Sequence, residues 1–329
     1  MKYNPTAKIT GTGHAVPEKI LTNADLEKMV ETTDEWITTR SGIKQRYISP
    51  DGVVNSDLSA EAAKIALEEA GVGPEEVDAI ILGTVTGDVN FPATACYVQE
   101  KIGAVNASAL DISAACSGFI YGLNIANGYI ASGWFKNILV IGAETLSRIV
   151  NWKDRATCVL FGDGAGAALI QPSDNERGIL SVYQMSDGRL AHLLMNPGHY
   201  TGKDYFNSNE EKIKPFIHMV GREVFKRAVR SMDEAVVKVL EKAEVSIDDV
   251  DLFIPHQANS RIIDMLAEKR KIPKEKVYVN VDRFGNTSAA SIPIALDEAR
   301  RNGRLKEGDL CVMTVFGGGF TWAGALVKF

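Results

Sequence analysis

An α/β fold built from two similar halves is what this sequence predicts, and two observations carry the prediction. Helix-patterned segments alternate with short, continuous apolar runs, the arrangement that buries strands on both faces of a largely parallel sheet. The chain also repeats itself. LEEAGVGPEEVDAIILG (67–83) is echoed by LEKAEVSIDDVDLFIPH (240–256), each reading as helix, short turn, acidic pair, Val-Asp and strand.

SDLSAEAAKIALEEAG (56–71) opens on Ser and Asp, is filled with helix formers and stops at Gly, so it reads as a capped helix. VDAIILGTV (77–85) is an unbroken apolar run of strand length. FPATACYVQEKIG (91–103) is helical, ASALDIS (107–113) is a strand, and NILVIGA (137–143) again has strand length. In the second copy a helix ending in AEKRKI leads into the expected strand KVYVNVD. Both copies then reach a Gly/Ser/Asn-rich turn that starts another helix. The polar stretch QPSDNERG (171–178) marks the divide, giving halves 1–173 and 174–329. Residues 185–216 form the least regular segment, which fits a surface insertion first and a lid or interface arm second.

The 329 residues, 45% hydrophobic and 24% charged, match a globular protein with a sizeable core. A net charge of −6 argues against general nucleic-acid binding, which needs surplus basic residues. The opening MKYNPTAKITGTG lacks the apolar core of a signal peptide, and no run is long enough to span a membrane. A cytoplasmic protein is the expectation. The four cysteines are widely spaced with no CxxC pair, so neither a zinc cluster nor disulfides are expected.

Chemistry concentrates in the turns. Cys116, in DISAACSGF, lies at the start of a helix among small residues. Free cysteine usually fills core space, yet a helix start lowers a thiol's pKa and favours the thiolate. Both readings stand on the residues alone. His256, in LFIPHQAN, follows an apolar strand, where α/β folds assemble their sites; neutral imidazole can donate to a developing oxyanion. Asn286, in GNTSAAS, stands in the turn that corresponds by repeat to that of Cys116, and a plain turn role also fits it. VFGGGFTWAG (315–324) can expose backbone N–H groups to an oxyanion or merely bend tightly. GTGHAVP (11–17) and LFGDGAGAA (160–168) match no phosphate-loop pattern, and close packing explains the second better. His14, His192, His199 and His218 show no ligand spacing.

Together ISAACSGF, IPHQAN, GNTSAAS and FGGGFTW, in this order, resemble the thiolase superfamily, and within it the β-ketoacyl-(acyl carrier protein) synthase III family. The resemblance extends to GTGHAVPEKILTNADLE and DEWITTRSGIKQRYI near the N-terminus. It implies a five-layer αβαβα fold with pseudo-twofold halves, a homodimer, and the condensation that starts fatty-acid synthesis. A short acyl-CoA primer would acylate Cys116, and malonyl-acyl carrier protein would then condense with it and release carbon dioxide. The N–H groups of Cys116 and Gly318 would form the oxyanion hole, and His256 and Asn286 would stabilise the enolate. No metal or redox cofactor is implied, since the CoA thioesters are substrates. By the same resemblance Trp36, Arg40 and Arg155 would hold the CoA adenine, and Phe91 would floor the partner's acyl pocket. Arg261, with Lys269, Arg270 and Lys271, would dock the carrier protein.

Related condensing enzymes fit less well. A thiolase would need a second catalytic cysteine, and Cys311 sits inside a strand pattern. A hydroxymethylglutaryl-CoA synthase would need a Glu where VTGDVNFP offers only Asp88. A type III polyketide synthase shares the Cys-His-Asn set but fits the length and motif contexts less well. A noncatalytic subunit of this fold would have no need for Cys116, His256 and Asn286 together.

Overall fold

In the computed structural model, which describes residues 6–173, 177–197 and 216–329, each half of the chain makes its own sheet. The first contains β1 (Ala7–Ala15), β2 (Ala79–Gly83), β3 (Ser108–Ile112), β4 (Ile138–Thr145) and β5 (Asp163–Pro172), in the order β1-β5-β4-β2-β3. β2 runs parallel to β3 and β4, while β5 is antiparallel to β4 and β1. The second contains β6 (Gly178–Ser186), β7 (Leu252–Pro255), β8 (Leu310–Gly317) and β9 (Thr321–Lys328), in the order β7-β8-β9-β6. There β7 is parallel to β8, and the other pairs are antiparallel. Counted from β1 and from β6, strand succession and direction agree.

One predicted strand is absent. KVYVNVD makes a single bridge, Phe253 to Val277, and then turns into the short helix Val281–Phe284. The cause is Gln257 of the HQAN turn. Its Oε1 accepts from the backbone N–H groups of Asn280 (2.9 Å) and Val281 (3.2 Å), while its Nε2 donates to Tyr278 O (3.1 Å). A side chain takes hydrogen bonds that a strand partner would otherwise make.

Among the described residues six helices cover the sheets: α1 (Asn55–Ala70), α2 (Thr94–Ile102), α3 (Gly118–Ala131), α4 (Gly221–Ala243), α5 (Ser260–Arg270) and α6 (Ser291–Arg301). Alternate strand residues point to opposite faces, and this sorts them into layers. Ile81 and Val140 from the first sheet meet Met313 and Val315 from the second around Phe119 and Leu123 of α3 and Leu296 of α6. Their neighbours Ile80, Leu82, Leu139 and Ile141 pack outward on α1 and α2. Phe253, Val312 and Leu326 pack outward against α4 and α5. The result is the five-layer αβαβα sandwich, with α3 and α6 in the middle layer.

The glycine-rich decoys are packing devices. A Cβ on Gly11 or Gly13 would stand 2.1 Å or 2.3 Å from the carbonyls of Ala66 and Ala62, so only glycine lets α1 lie this close to β1. Gly166, in the second decoy, does the same for α6. His14 is tied to Asp297 at 2.5 Å; His192 and His218 lie in short surface elements, and His199 is outside the described residues. Cys158 and Cys311 are buried, as free cysteines commonly are. Cys96 is only half-buried, because the inward positions of α2 are Ala95, Val98 and Ile102. Among the described residues no helix is long and apolar enough to cross a membrane.

Candidate active site

The Cys116 turn links β3 to α3. Ala115 adopts a left-handed backbone, φ 46°, and Ala115–Ser117 make one 3-10 turn before α3 begins. Cys116 is 9% exposed, and burial pushes its thiol up to about 12. The nearby Ser288 hydroxyl opposes this, and the nearby Glu144 carboxyl reinforces it. Burial thus works against the activation that a helix start offers a thiol.

The glycine hairpin closes on this turn. A Cβ at Gly317 would lie 2.6 Å from Cys116 N and 3.0 Å from Cys116 Cβ. Thr321 Oγ1 donates to Ala114 O at 2.9 Å and lies 3.0 Å from Ser117 Oγ, fastening the hairpin to the turn. Among the described residues neither Cys116 N nor Gly318 N donates to a backbone carbonyl.

His256 is 4% exposed, and burial lowers its pKa to about 4, so the ring is neutral at ordinary pH. Its Nδ1 lies 2.6 Å from Ser291 Oγ at the start of α6; Nε2 has no protein partner among the described residues. Asn286 is oriented by its other end. Its Oδ1 accepts from Ser288 N at 2.9 Å, while its backbone joins Leu160 and Gly162. This leaves the Nδ2 donor unpaired by protein among the described residues.

Cys116, His256, Asn286 and Gly318 line one cavity of about 1440 Å³, together with Trp36, Arg40 and Arg261. The exposed cations Arg40, Arg148, Arg222, Lys226 and Arg261 also line it, and no Asp or Glu does among the described residues. Trp36 carries two guanidinium contacts, with Arg40 Cζ 4.8 Å and Arg155 Cζ 4.7 Å from its ring centre. Arg155 also donates to Glu31 O at 2.9 Å.

Other predicted residues lie apart. Phe91 is 86% exposed and outside the cavity wall. Lys269 is paired with Asp233 at 2.7 Å, Arg270 binds the same carboxylate, and Lys271 caps α5 in a left-handed conformation. Within 185–216, Leu194 and Met195 pair with His218 and Met219 and wall the cavity, which a surface insertion does not explain; residues 198–215 lie outside the described residues.

Sequence reasoning missed several groups: Ser288 and Ser291, the buried Glu144 behind the site, and the cations Arg222 and Lys226. The signals were present but weak. Ser288 is the S of GNTS, and Glu144 is the next-to-last residue of an otherwise largely apolar strand, where a charge needs a reason.

A buried thiol, two neutral donors and a glycine hairpin across two halves of this sandwich define a condensing enzyme of the thiolase fold. The chain belongs to the β-ketoacyl-[acyl-carrier-protein] synthase III family, and it is an acyltransferase of that family, which starts fatty-acid synthesis. Residues 110–188 match the model of 3-oxoacyl-[acyl-carrier-protein (ACP)] synthase III, and residues 240–329 match that of its C-terminal region. The chain is 53% identical to the β-ketoacyl-[acyl-carrier-protein] synthase III of Caldanaerobacter subterraneus subsp. tengcongensis, covering 98% of each chain. It is similar to the solved synthase III of Aquifex aeolicus VF5, with 53% identity, TM-score 0.91, and 98% and 100% of the two chains covered. The Thermus thermophilus structure follows at 43% identity and TM-score 0.92, covering 98% of this chain and 99% of that one.

Proposed function

We propose that this enzyme loads a short acyl group from an acyl-CoA onto Cys116 and condenses it with malonyl-acyl carrier protein. The observation that carries this reading is the asymmetry of the cavity. Its outer cations, with no carboxylate among the described lining residues, suit a polyanionic carrier. Its buried end offers a thiol and neutral donors.

Cys116 attacks the thioester carbonyl, and the N–H groups of Cys116 and Gly318 receive the tetrahedral oxygen. One such donor is worth about 3–4 kcal/mol of barrier. With Ser291 donating to Nδ1, His256 presents Nε2–H and Asn286 presents Nδ2–H. Both then hydrogen-bond the malonyl thioester oxygen as carbon dioxide leaves and an enolate forms. Neutral donors suit this step, because a charged imidazolium would be costly where water is excluded.

The adenine of CoA stacks on Trp36 in place of one guanidinium, with the displaced arginine turning to the phosphates. Arg261, together with Arg222 and Lys226, meets the acidic carrier protein. Lys269 and Arg270 contribute less, since Asp233 already holds them. Phe91, an exposed apolar ring, floors the acyl pocket of a second copy in a homodimer. The halves 1–173 and 174–329 then act as one cytoplasmic unit, the first supplying the nucleophile and the second the enolate donors.

Intact-mass spectrometry after incubation with acetyl- through octanoyl-CoA, straight and branched, tests the assignment. A single acyl adduct that disappears in Cys116→Ala is expected. An adduct surviving that substitution overturns it. His256→Ala and Asn286→Ala are expected to keep loading but lose malonyl decarboxylation by about a hundredfold or more. Loss of loading, with condensation intact from preloaded enzyme, refutes those two roles.

A further inference from the structure

Glu144 is a fully buried carboxylate that the reaction above does not use. It is the next-to-last residue of β4, in the half that supplies the nucleophile. Its Oε2 accepts from Val85 N (3.1 Å), Thr84 Oγ1 (3.2 Å) and Thr86 Oγ1 (2.5 Å). Two of those donors are fixed in turn. Asn55 Nδ2 donates to Thr84 Oγ1 at 3.0 Å, and Thr145 N donates to Thr86 Oγ1 at 2.8 Å. The other carboxylate oxygen, Oε1, faces the second half and accepts from Ser288 Oγ at 3.1 Å. Burying a carboxylate is costly, and here one whole oxygen is given to a single hydroxyl across the two halves.

Ser288 sits in the turn that serves both enolate donors. Its N–H donates to Asn286 Oδ1 at 2.9 Å, and three residues on, Ser291 Oγ lies 2.6 Å from His256 Nδ1. β4 meets this turn twice. Gly142 and Glu144 are two residues apart and so share one face of the strand. A Cβ at Gly142 would stand 2.1 Å from Ala289 O, so only glycine lets the turn lie directly on the strand. The bare backbone at 142 gives the close approach, and the hydrogen bond at 144 fixes where the turn rests. Ser288 needs such a hold. Its backbone is left-handed, φ 50°, a conformation that a side chain keeps only when its surroundings impose it.

We propose that Glu144 is a positioning residue: by holding the Ser288 hydroxyl it seats the Asn286 turn on the sheet of the first half and so aims Asn286 Nδ2 at the thioester oxygen. Glu144 touches no reacting atom. It acts through Ser288, whose N–H holds the far end of the Asn286 amide. The nucleophile and the enolate donors belong to different halves, and this carboxylate sets the register between them. The link matters because displacements near 1 Å at a reacting group cost about a hundredfold in rate. The proposal rests on the reading that Asn286 serves malonyl decarboxylation.

The first test uses no substrate, so it is independent of that reading. The side-chain amide of Asn286 is followed by NMR in asparagine-labelled protein and assigned by its loss in Asn286→Ala. Its signal is expected to shift and broaden in Ser288→Ala and Ser288→Gly, which both lack the hydroxyl. Alanine suits position 288 because Ala115 holds the same backbone conformation in the other half, and glycine adopts it without steric cost. An amide signal unchanged in these variants overturns the proposal, whatever Asn286 does in the reaction. The second test is kinetic. Ser288→Ala is expected to slow malonyl decarboxylation by preloaded enzyme about tenfold or more, with a smaller change in Cys116 loading. In an Asn286→Ala background the same substitution is expected to cost less than about threefold, since the group it aims is gone. Equal losses in the two backgrounds overturn the proposal. Glu144→Gln can meet the same four partners, because the Ser288 hydroxyl accepts as well as donates, and is expected to be at least about threefold faster than Ser288→Ala. A glutamine variant as slow as Ser288→Ala also overturns it. Wild-type decarboxylation by Asn286→Ala itself would instead overturn the functional reading, and the seat then stands or falls on the amide signal.

Discussion

Ala115 and Ser288 occupy the same backbone position in the two halves. Each is left-handed, at φ 46° and φ 50°, and each opens a single 3-10 turn that feeds a middle-layer helix. The two turns meet where α3 and α6 start, with a Cβ at Gly118 falling 3.4 Å from Ala289 Cβ. In the first half the residue after this kink is Cys116. In the second half the kinked residue itself supplies a hydroxyl, which donates to the buried Glu144 at 3.1 Å. A repeated turn thus becomes a site through different side chains on a shared backbone.

Ala115→Val is expected to lower stability by at least about 1–2 kcal/mol, since a left-handed backbone is costly for a side chain and worse for a branched one. It also crowds the hairpin, because Ala115 Cβ lies 3.2 Å from where a Gly317 Cβ would be. Ala115→Gly, which suits the left-handed conformation, should stay within about 1 kcal/mol of wild type. Denaturant unfolding of the three proteins checks this; an unchanged valine variant contradicts the strain argument.

The fold was legible because its cues are local and doubled. The apolar runs at 77–85 and 137–143 could only be doubly buried strands, and the repeat fixed how many times that unit occurs. KVYVNVD misled because the competitor for its hydrogen bonds, the Gln257 side chain, lies about twenty residues away in sequence. The site was legible as motifs, and Cys116, His256 and Asn286 do share one cavity. Its electrostatics were not. A helix start favours the thiolate, whereas burial pushes the Cys116 thiol up, and burial is not visible in the local sequence. Glu144 stayed hidden because its meaning depends on Ser288, which only the folded chain brings within 3.1 Å.

Gly317→Ala is expected to cut Cys116 loading by about a hundredfold or more, since displacements near 1 Å at a reacting group carry costs of that order. The added methyl would sit 2.6 Å from Cys116 N, and the backbone must move to relieve it. Loading rates from rapid-quench mass spectrometry, with circular dichroism to confirm folding, measure the effect. A well-folded variant with wild-type loading refutes the close contact.

Trp36→Ala separates the handle from the chemistry. Stacking on a half-buried indole is worth about 1–2 kcal/mol, so KM for acyl-CoA should rise about tenfold while kcat changes little. Loading from an acyl-pantetheine thioester, which lacks the adenine, should be unaffected. Equal losses with both donors would assign Trp36 to holding Arg40 and Arg155 in place instead.

His256 gives the fold a pH dependence of known sign. Its folded pKa, lowered to about 4 by burial, lies below the ordinary value of 6.5. Between these values the unfolded chain binds the proton and the folded one does not, so this contribution is complete above 6.5 and is lost as pH falls toward 4. Glu144 works in the opposite direction: raised from 4.5 to about 7, it favours the folded state at low pH and loses that contribution as pH rises through this window. The two partly cancel in the wild type and can be separated by substitution. His256→Asn should be less sensitive to acid than wild type, and Glu144→Gln more sensitive, when Tm is compared at about pH 5 and pH 7. Parallel Tm profiles for all three proteins would mean that neither group changes its protonation on folding. Catalysis should follow the same ionisation: malonyl decarboxylation by preloaded enzyme should hold down to about pH 5, where His256 stays neutral, and change only as the imidazole charges near pH 4, when Nδ1 turns from accepting to donating toward Ser291.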